Sequence, residues 1–156
     1  MGQEPNAILA FGYKFPDESE MPWGEWCESE DSDFEEWYTL KHKGEVLKNE
    51  RPPNELYNTN KEEFNRLWNL YSDEKKKAIK KHKPKIDVFH LYCEGHETEI
   101  IIGLNRLYFG ADWDEIMEIE IPIPTKQEIE DIKEGLTELG IDFDGEPKWL
   151  LGSYLF

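Results

Sequence analysis

Apolar and polar residues alternate near the start of the chain. Ala7, Leu9, Phe11, Tyr13 and Phe15 share one face, which predicts a half-buried strand over residues 7–15. The period changes after Thr59-x-x-Glu62, a capping-box spacing, where Phe64, Leu67, Trp68 and Tyr71 recur at helical intervals. Ser72 and Asp73 offer a second cap, so the reading is two helices with a break near residue 72. The second helix carries the lysines of 75–81 and stops at Pro84. Residues 86–93 and 97–109 read as strands joined by a turn at Glu94-Gly95-His96, and a further strand is predicted near 115–121, before Pro122 and Pro124. Thr125-x-x-Glu128 is another capping box. Ile129, Ile132, Leu136 and Leu139 line one face of the helix it opens, and Gly140 sits where a left-handed cap is expected. Pro147 leads into a last strand over 149–156. Residues 37–40 read as a short strand, and 43–58, interrupted by Pro52 and Pro53, as a loop.

The predicted order is strand, helix, strand, strand, strand, helix, strand. Two main helices on one face of an antiparallel sheet give a two-layer α+β sandwich of ferredoxin-like order with an added hairpin strand. At 156 residues the chain is expected to form one domain over 1–156. Such a fold hosts many unrelated functions, so activity has to be sought in particular residues.

Charge changes the picture more than length does. Ten of the twenty residues in 17–36 are acidic, and no Lys or Arg falls between Lys14 and Lys41. An acidic tail without apolar area stays disordered, but this stretch and its border hold Trp23, Trp26, Phe34, Trp37 and Tyr38. It is expected to be an aromatic-rich loop anchored by rings. Three readings of it stand: a face mimicking the phosphates of a nucleic acid, a cap folded over the chain's own lysines, or a solvated loop with a few anchors. Net charge is −17, whereas residues 75–85 alone contribute +7. The remaining field repels nucleic acid and anionic membrane and attracts basic proteins.

The expected partner-binding residues are therefore Trp23, Trp26 and Trp37 as anchors, with Glu28, Glu30, Asp31, Asp33, Glu35 and Glu36 as the steering carboxylates. Lys76, Lys77, Lys80, Lys81 and Lys83 are the alternative, a phosphate-binding patch for a phosphorylated small molecule. The patch lacks the interleaved aromatics and arginines that bind bases, so nucleic acid is not the expected ligand. His90-x-x-Cys93-x-x-His96 has a metal-like spacing. On a strand, however, residues three apart face opposite ways and no fourth ligand is evident, so no metal is expected. Asp31-x-Asp33-x-Glu35 lacks the glycine and the helical frame of a calcium loop. Phosphate-binding glycine loops, zinc-protease helices and nucleophile elbows are absent from the sequence. No cofactor is expected, and an enzyme is the less favoured class. Two cysteines, Cys27 and Cys93, are too few for a disulfide scaffold, and no apolar run approaches a membrane span. A cytoplasmic protein is the expectation.

Two segments carry a resemblance. Ala7-Ile8-Leu9-Ala10-Phe11-Gly12-Tyr13 and Pro147-x-Trp149-Leu150-Leu151-Gly152-Ser153-Tyr154 are similar to an uncharacterised set of small acidic proteins found in bacteriophages and Gram-positive bacteria. The resemblance implies a phage or mobile-element protein acting in the host cytoplasm, and assigns no role to individual residues. With the charge pattern, it leads to an acidic protein-binding module, an inhibitor of a host defence or nucleic-acid-handling protein. A binder or enzyme for a phosphorylated ligand and an immunity-type toxin neutraliser are the alternatives.

Overall fold

The structure, a computed structural model, describes residues 5–30, 32–91, 99–110, 118 and 120–155. Its strands are β1 (Pro5–Phe15), β2 (Asp87–Leu91), β3 (Glu99–Gly110) and β4 (Lys148–Leu155). Its helices are α1 (Gly24–Glu30), α2 (Phe34–Trp37), α3 (Asn54–Thr59), α4 (Lys61–Lys81) and α5 (Lys126–Glu138). The strands form one antiparallel sheet in the order β2-β3-β1-β4. β1 and β2 flank β3, while β3 and β4 flank β1, which are the two interleaved split crossovers of a ferredoxin-like arrangement. The protein is α+β. The chain divides into two compact units, one of residues 1–24 with 85–156 and the other of residues 25–84.

The first unit contains the sheet and α5. β1 was expected to be half-buried, but Ile8, Leu9, Ala10 and Phe11 are buried in succession, so both of its faces are covered. Ile8 and Ala10 join Phe89, Ile101 and Leu150 in one apolar cluster. Phe11 meets Trp149 at 5.5 Å between ring centroids, Tyr13 meets Phe143 at 5.2 Å, and the Tyr13 hydroxyl donates to the Gly145 carbonyl at 2.9 Å. Gly12 pairs with Gly103 across β1 and β3, and a Cβ on either would lie 2.1 or 2.0 Å from the facing carbonyl oxygen. Only glycine allows that approach.

α5 begins as predicted. Thr125 Oγ1 accepts from the Glu128 N–H at 3.2 Å, and Glu128 Oε2 accepts from the Thr125 N–H at 2.7 Å. Ile132 and Leu136 are fully buried, and the helix packs on β3. Gly140 terminates it at φ +69°, with Ile141 N–H returning to the Leu136 carbonyl at 3.0 Å.

The second unit departs from the sequence reading in several places. Residues 54–58, expected as loop, belong to α3. Asn60 adopts non-helical dihedrals and separates α3 from α4, and its side chain accepts from Glu63 N–H at 3.1 Å. The α4 cap therefore lies one residue beyond the predicted Thr59, whose hydroxyl instead donates to the Glu55 carbonyl at 3.2 Å and closes α3. The expected break at residue 72 is missing, because the strong helix formers Glu74 and Lys75–Lys77 carry α4 through Ser72 and Asp73. Residues 37–40, expected as a strand, belong to the end of α2 and a π-type turn, Tyr38–His42. Of the strand expected near 115–121, residues 115–117 and 119 lie outside the described residues, while 118, 120 and 121 carry no regular element. The predicted turn at 94–96 also lies outside them.

Candidate functional site

Residues 17–36, expected as a loop, are largely helical among the described residues. Pro16 and Pro22 precede helical turns rather than breaking them, since proline is tolerated where no intrahelical N–H bond is needed. Asp17 caps a single 3-10 turn, Glu18–Glu20, by accepting from Ser19 N–H at 2.8 Å. Glu18 then accepts from Trp23 Nε1–H at 2.9 Å and pairs with His90 Nε2 at 2.7 Å. The His90 contact holds the Glu18 carboxyl below the usual range against the opposing effect of burial. His90 is thus engaged by a carboxylate, while Cys93 and His96 lie outside the described residues. Among the described residues no group of three His, Cys, Asp or Glu side chains is placed to hold a metal ion.

The three expected anchors separate. Trp23 is 0% exposed and Trp37 only 8%. This corrects their assignment as partner anchors, because a ring already packed inside cannot gain burial from a partner. Trp26, on α1, is half-buried, and Lys41 Nζ lies 5.8 Å from its ring centroid. The steering carboxylates separate too. Glu28 and Glu30 are exposed along α1, as is Glu25, which was not among them; Asp33 and Glu35 are exposed at α2, while Asp31 lies outside the described residues. Glu36 is the exception at 7% exposure, so it is withdrawn from the surface.

Glu36 is buried because α2 turns it inward. Asp33 Oδ1 accepts from Glu36 N–H at 2.9 Å and fixes the first turn. Phe34, Trp37 and Tyr38 pack ring to ring behind it, with centroids 6.0–6.2 Å apart, and His42 stacks on both Trp37 and Tyr38. A buried carboxylate is costly unless fully hydrogen-bonded. Here the Tyr71 hydroxyl donates to Oε1 at 3.1 Å and Lys75 Nζ to Oε2 at 3.0 Å. Burial first, then the Glu36 charge and hydrogen bond, push the Tyr71 hydroxyl up to about 12.

This triad borders a cleft of about 380 Å³ lined by Ser32, Asp33, Glu36, Arg51, Trp68, Tyr71 and Lys75. Trp68, Tyr71 and Lys75 come from one face of α4 at spacings of three and four. Arg51 lies 5.7 Å from the Trp68 ring centroid and donates to the Glu30 carbonyl at 3.1 Å. Sequence reasoning missed Arg51 altogether and read Trp68 and Tyr71 only as an apolar helix face. Of the lysine series only Lys75 reaches this cleft. Lys76, Lys77, Lys80, Lys81 and Lys83 are exposed, and Lys81 pairs with Glu45 at 2.8 Å, so they do not converge on it.

No protein-family model, curated protein or solved structure matches the chain. Among the described residues no helix is long and apolar enough to cross a membrane.

Proposed function

We propose that the protein binds a basic protein partner through the acidic, ring-bearing helices of the 25–84 unit. The observation behind this reading is α1. Glu25, Glu28 and Glu30 are exposed beside half-buried Trp26, whose ring already holds a cation, Lys41. Glu30 lies one helical turn from Trp26 and shares its face. A partner's lysine or arginine replacing Lys41 would meet the ring quadrupole and a carboxylate together. Lys41 is exposed, so its displacement returns a charge to water and buries none.

The unit holds fourteen Asp and Glu against twelve Lys and Arg. That mixture favours recognition of individual basic side chains over mimicry of a continuous polyanion. The terminal resemblance to small acidic phage proteins makes a host defence or nucleic-acid-handling protein the most economical partner, with this chain as its inhibitor. An immunity-type neutraliser would use the same face.

The test starts with partner capture at low and high salt, followed by binding kinetics. Reversing Glu25, Glu28 and Glu30 to Lys should slow association more than it speeds dissociation, and Trp26→Ala should speed dissociation. An association rate unchanged by the charge reversal would remove α1 from the contact surface.

A further inference from the structure

We propose that the cleft beside Glu36, formed by α2, Arg51 and α4, is a binding site for a free α-amino acid. Its polar lining sorts into groups that are spent and groups that are not. Glu36 is satisfied by Tyr71 and Lys75, and the Ser32 hydroxyl donates to the Glu30 carbonyl at 3.4 Å. Two opposite charges remain. Arg51 uses one N–H on the Glu30 carbonyl, and Asp33 uses one oxygen to cap α2. Both face the same cleft, yet neither forms an ion pair with the other or with any other described residue.

A simple anion on Arg51 would meet the Asp33 charge, and a simple cation on Asp33 would meet Arg51. A zwitterion satisfies both. Its carboxylate takes the guanidinium fork of Arg51, and its ammonium takes the unspent Asp33 oxygen. The rings of Trp68 and Tyr71 line the wall beside its side chain, with Arg51 and Lys75 held 5.7 and 5.2 Å from their centroids. The volume falls within the range of about 300–1,000 Å³ typical of small-molecule sites. The Glu36–Tyr71–Lys75 triad positions the wall and neutralises the Lys75 charge, leaving the ligand one cation and one anion to pair with.

This inference is independent of the partner proposal and is tested without any partner. The full chain is titrated with each free L-amino acid at millimolar concentration, following the Trp68 indole resonance, which Trp68→Phe identifies. At least one amino acid should bind and shift it. The N-acetyl derivative of that amino acid, which lacks the ammonium, and its amide, which lacks the carboxylate, should each bind about tenfold more weakly or worse, as expected for loss of one charge-assisted contact. Arg51→Gln should erase the difference between acid and amide. Asp33→Asn, which retains a good helix cap, should erase the difference between amine and N-acetyl form, and Lys76→Gln should change neither. Absence of a Trp68 shift with every free amino acid overturns the proposal. So does an N-acetyl derivative or an amide that binds as tightly as the parent.

Discussion

The sheet-bearing unit buries the rings of Phe11, Tyr13, Trp23 and Phe89, but most of its fully enclosed side chains are aliphatic, Ile86, Ile100, Ile101, Ile102, Ile132 and Leu136. The 25–84 unit instead buries Phe34, Trp37, Tyr38 and Tyr71 together with Glu36 and Thr39, and its buried aliphatic residues among the described ones are small, Pro52, Ala78 and Pro84. Charge divides differently again. The sheet-bearing unit has twenty-one acidic residues against six basic ones, so most of the net −17 resides there, while the helical unit is nearly balanced. Aliphatic burial is non-directional and tolerates a wide range of salt and pH. A core of rings around a carboxylate depends on hydrogen bonds and protonation states. The two units should therefore respond differently to the same perturbation.

The largest effect is expected in the aliphatic interior. Ile101→Ala should cost about 2–5 kcal/mol in urea unfolding, through lost transfer energy and the cavity left behind. Changing the salt concentration should alter that cost little, and a strong salt dependence would contradict the contrast drawn above. In the helical unit, Glu36→Ala should cost about 1–3 kcal/mol by leaving the Tyr71 hydroxyl and Lys75 without their acceptor. Glu36→Gln, which keeps one acceptor oxygen, should cost less. Equal losses in the two variants would show that Glu36 contributes packing rather than acceptance.

High pH offers a sharper separation. The Tyr71 hydroxyl is raised from 10.0 to about 12 in the folded protein, so the stability linked to it is fully present below the unfolded value and is lost as pH rises through the folded one. Burial raises the Tyr13 hydroxyl as well, so tyrosinate absorbance should show a late-titrating component that Tyr71→Phe removes in part, and the same variant should flatten the loss of stability over that alkaline window. The smallest effect concerns Thr39. Its hydroxyl is buried without a hydrogen-bond partner among the described residues. Thr39→Val removes an unsatisfied group at constant shape and should leave thermal stability unchanged or raise it by about 1 kcal/mol. A clear destabilisation would mean the hydroxyl has a role that its surroundings do not reveal.

The sheet and α5 were legible in the sequence because their signals are local. Alternation, a capping box and Gly140 each act over a few residues; the structure keeps the cap and the glycine, and keeps the strand that the alternation marked while burying both of its faces. The helices within 17–36 were hidden by acid content and prolines, although Asp33-x-x-Glu36 already had the spacing of an N-terminal cap. The cleft could not be read in advance. Glu36 meets Tyr71 across 35 positions and Lys75 across 39, and no local period encodes a contact at that separation. Only the spacing of Trp68, Tyr71 and Lys75 on one helix face pointed toward it.

The sheet order also sets a timetable for synthesis. Of the four described strands β1 is made before the others and β4 after them, yet the two are neighbours, with Pro5 opposite Leu155. As residues 6–147 emerge, one edge of β1 stays open, and an unpaired strand edge is a template for association with other chains. The contacts of α2 with α4 and of α3 with α4 require only residues 34–81. Shorter loops close sooner, so the helical unit can form early on the ribosome, while the sheet waits for 148–155 to shield the strand made first.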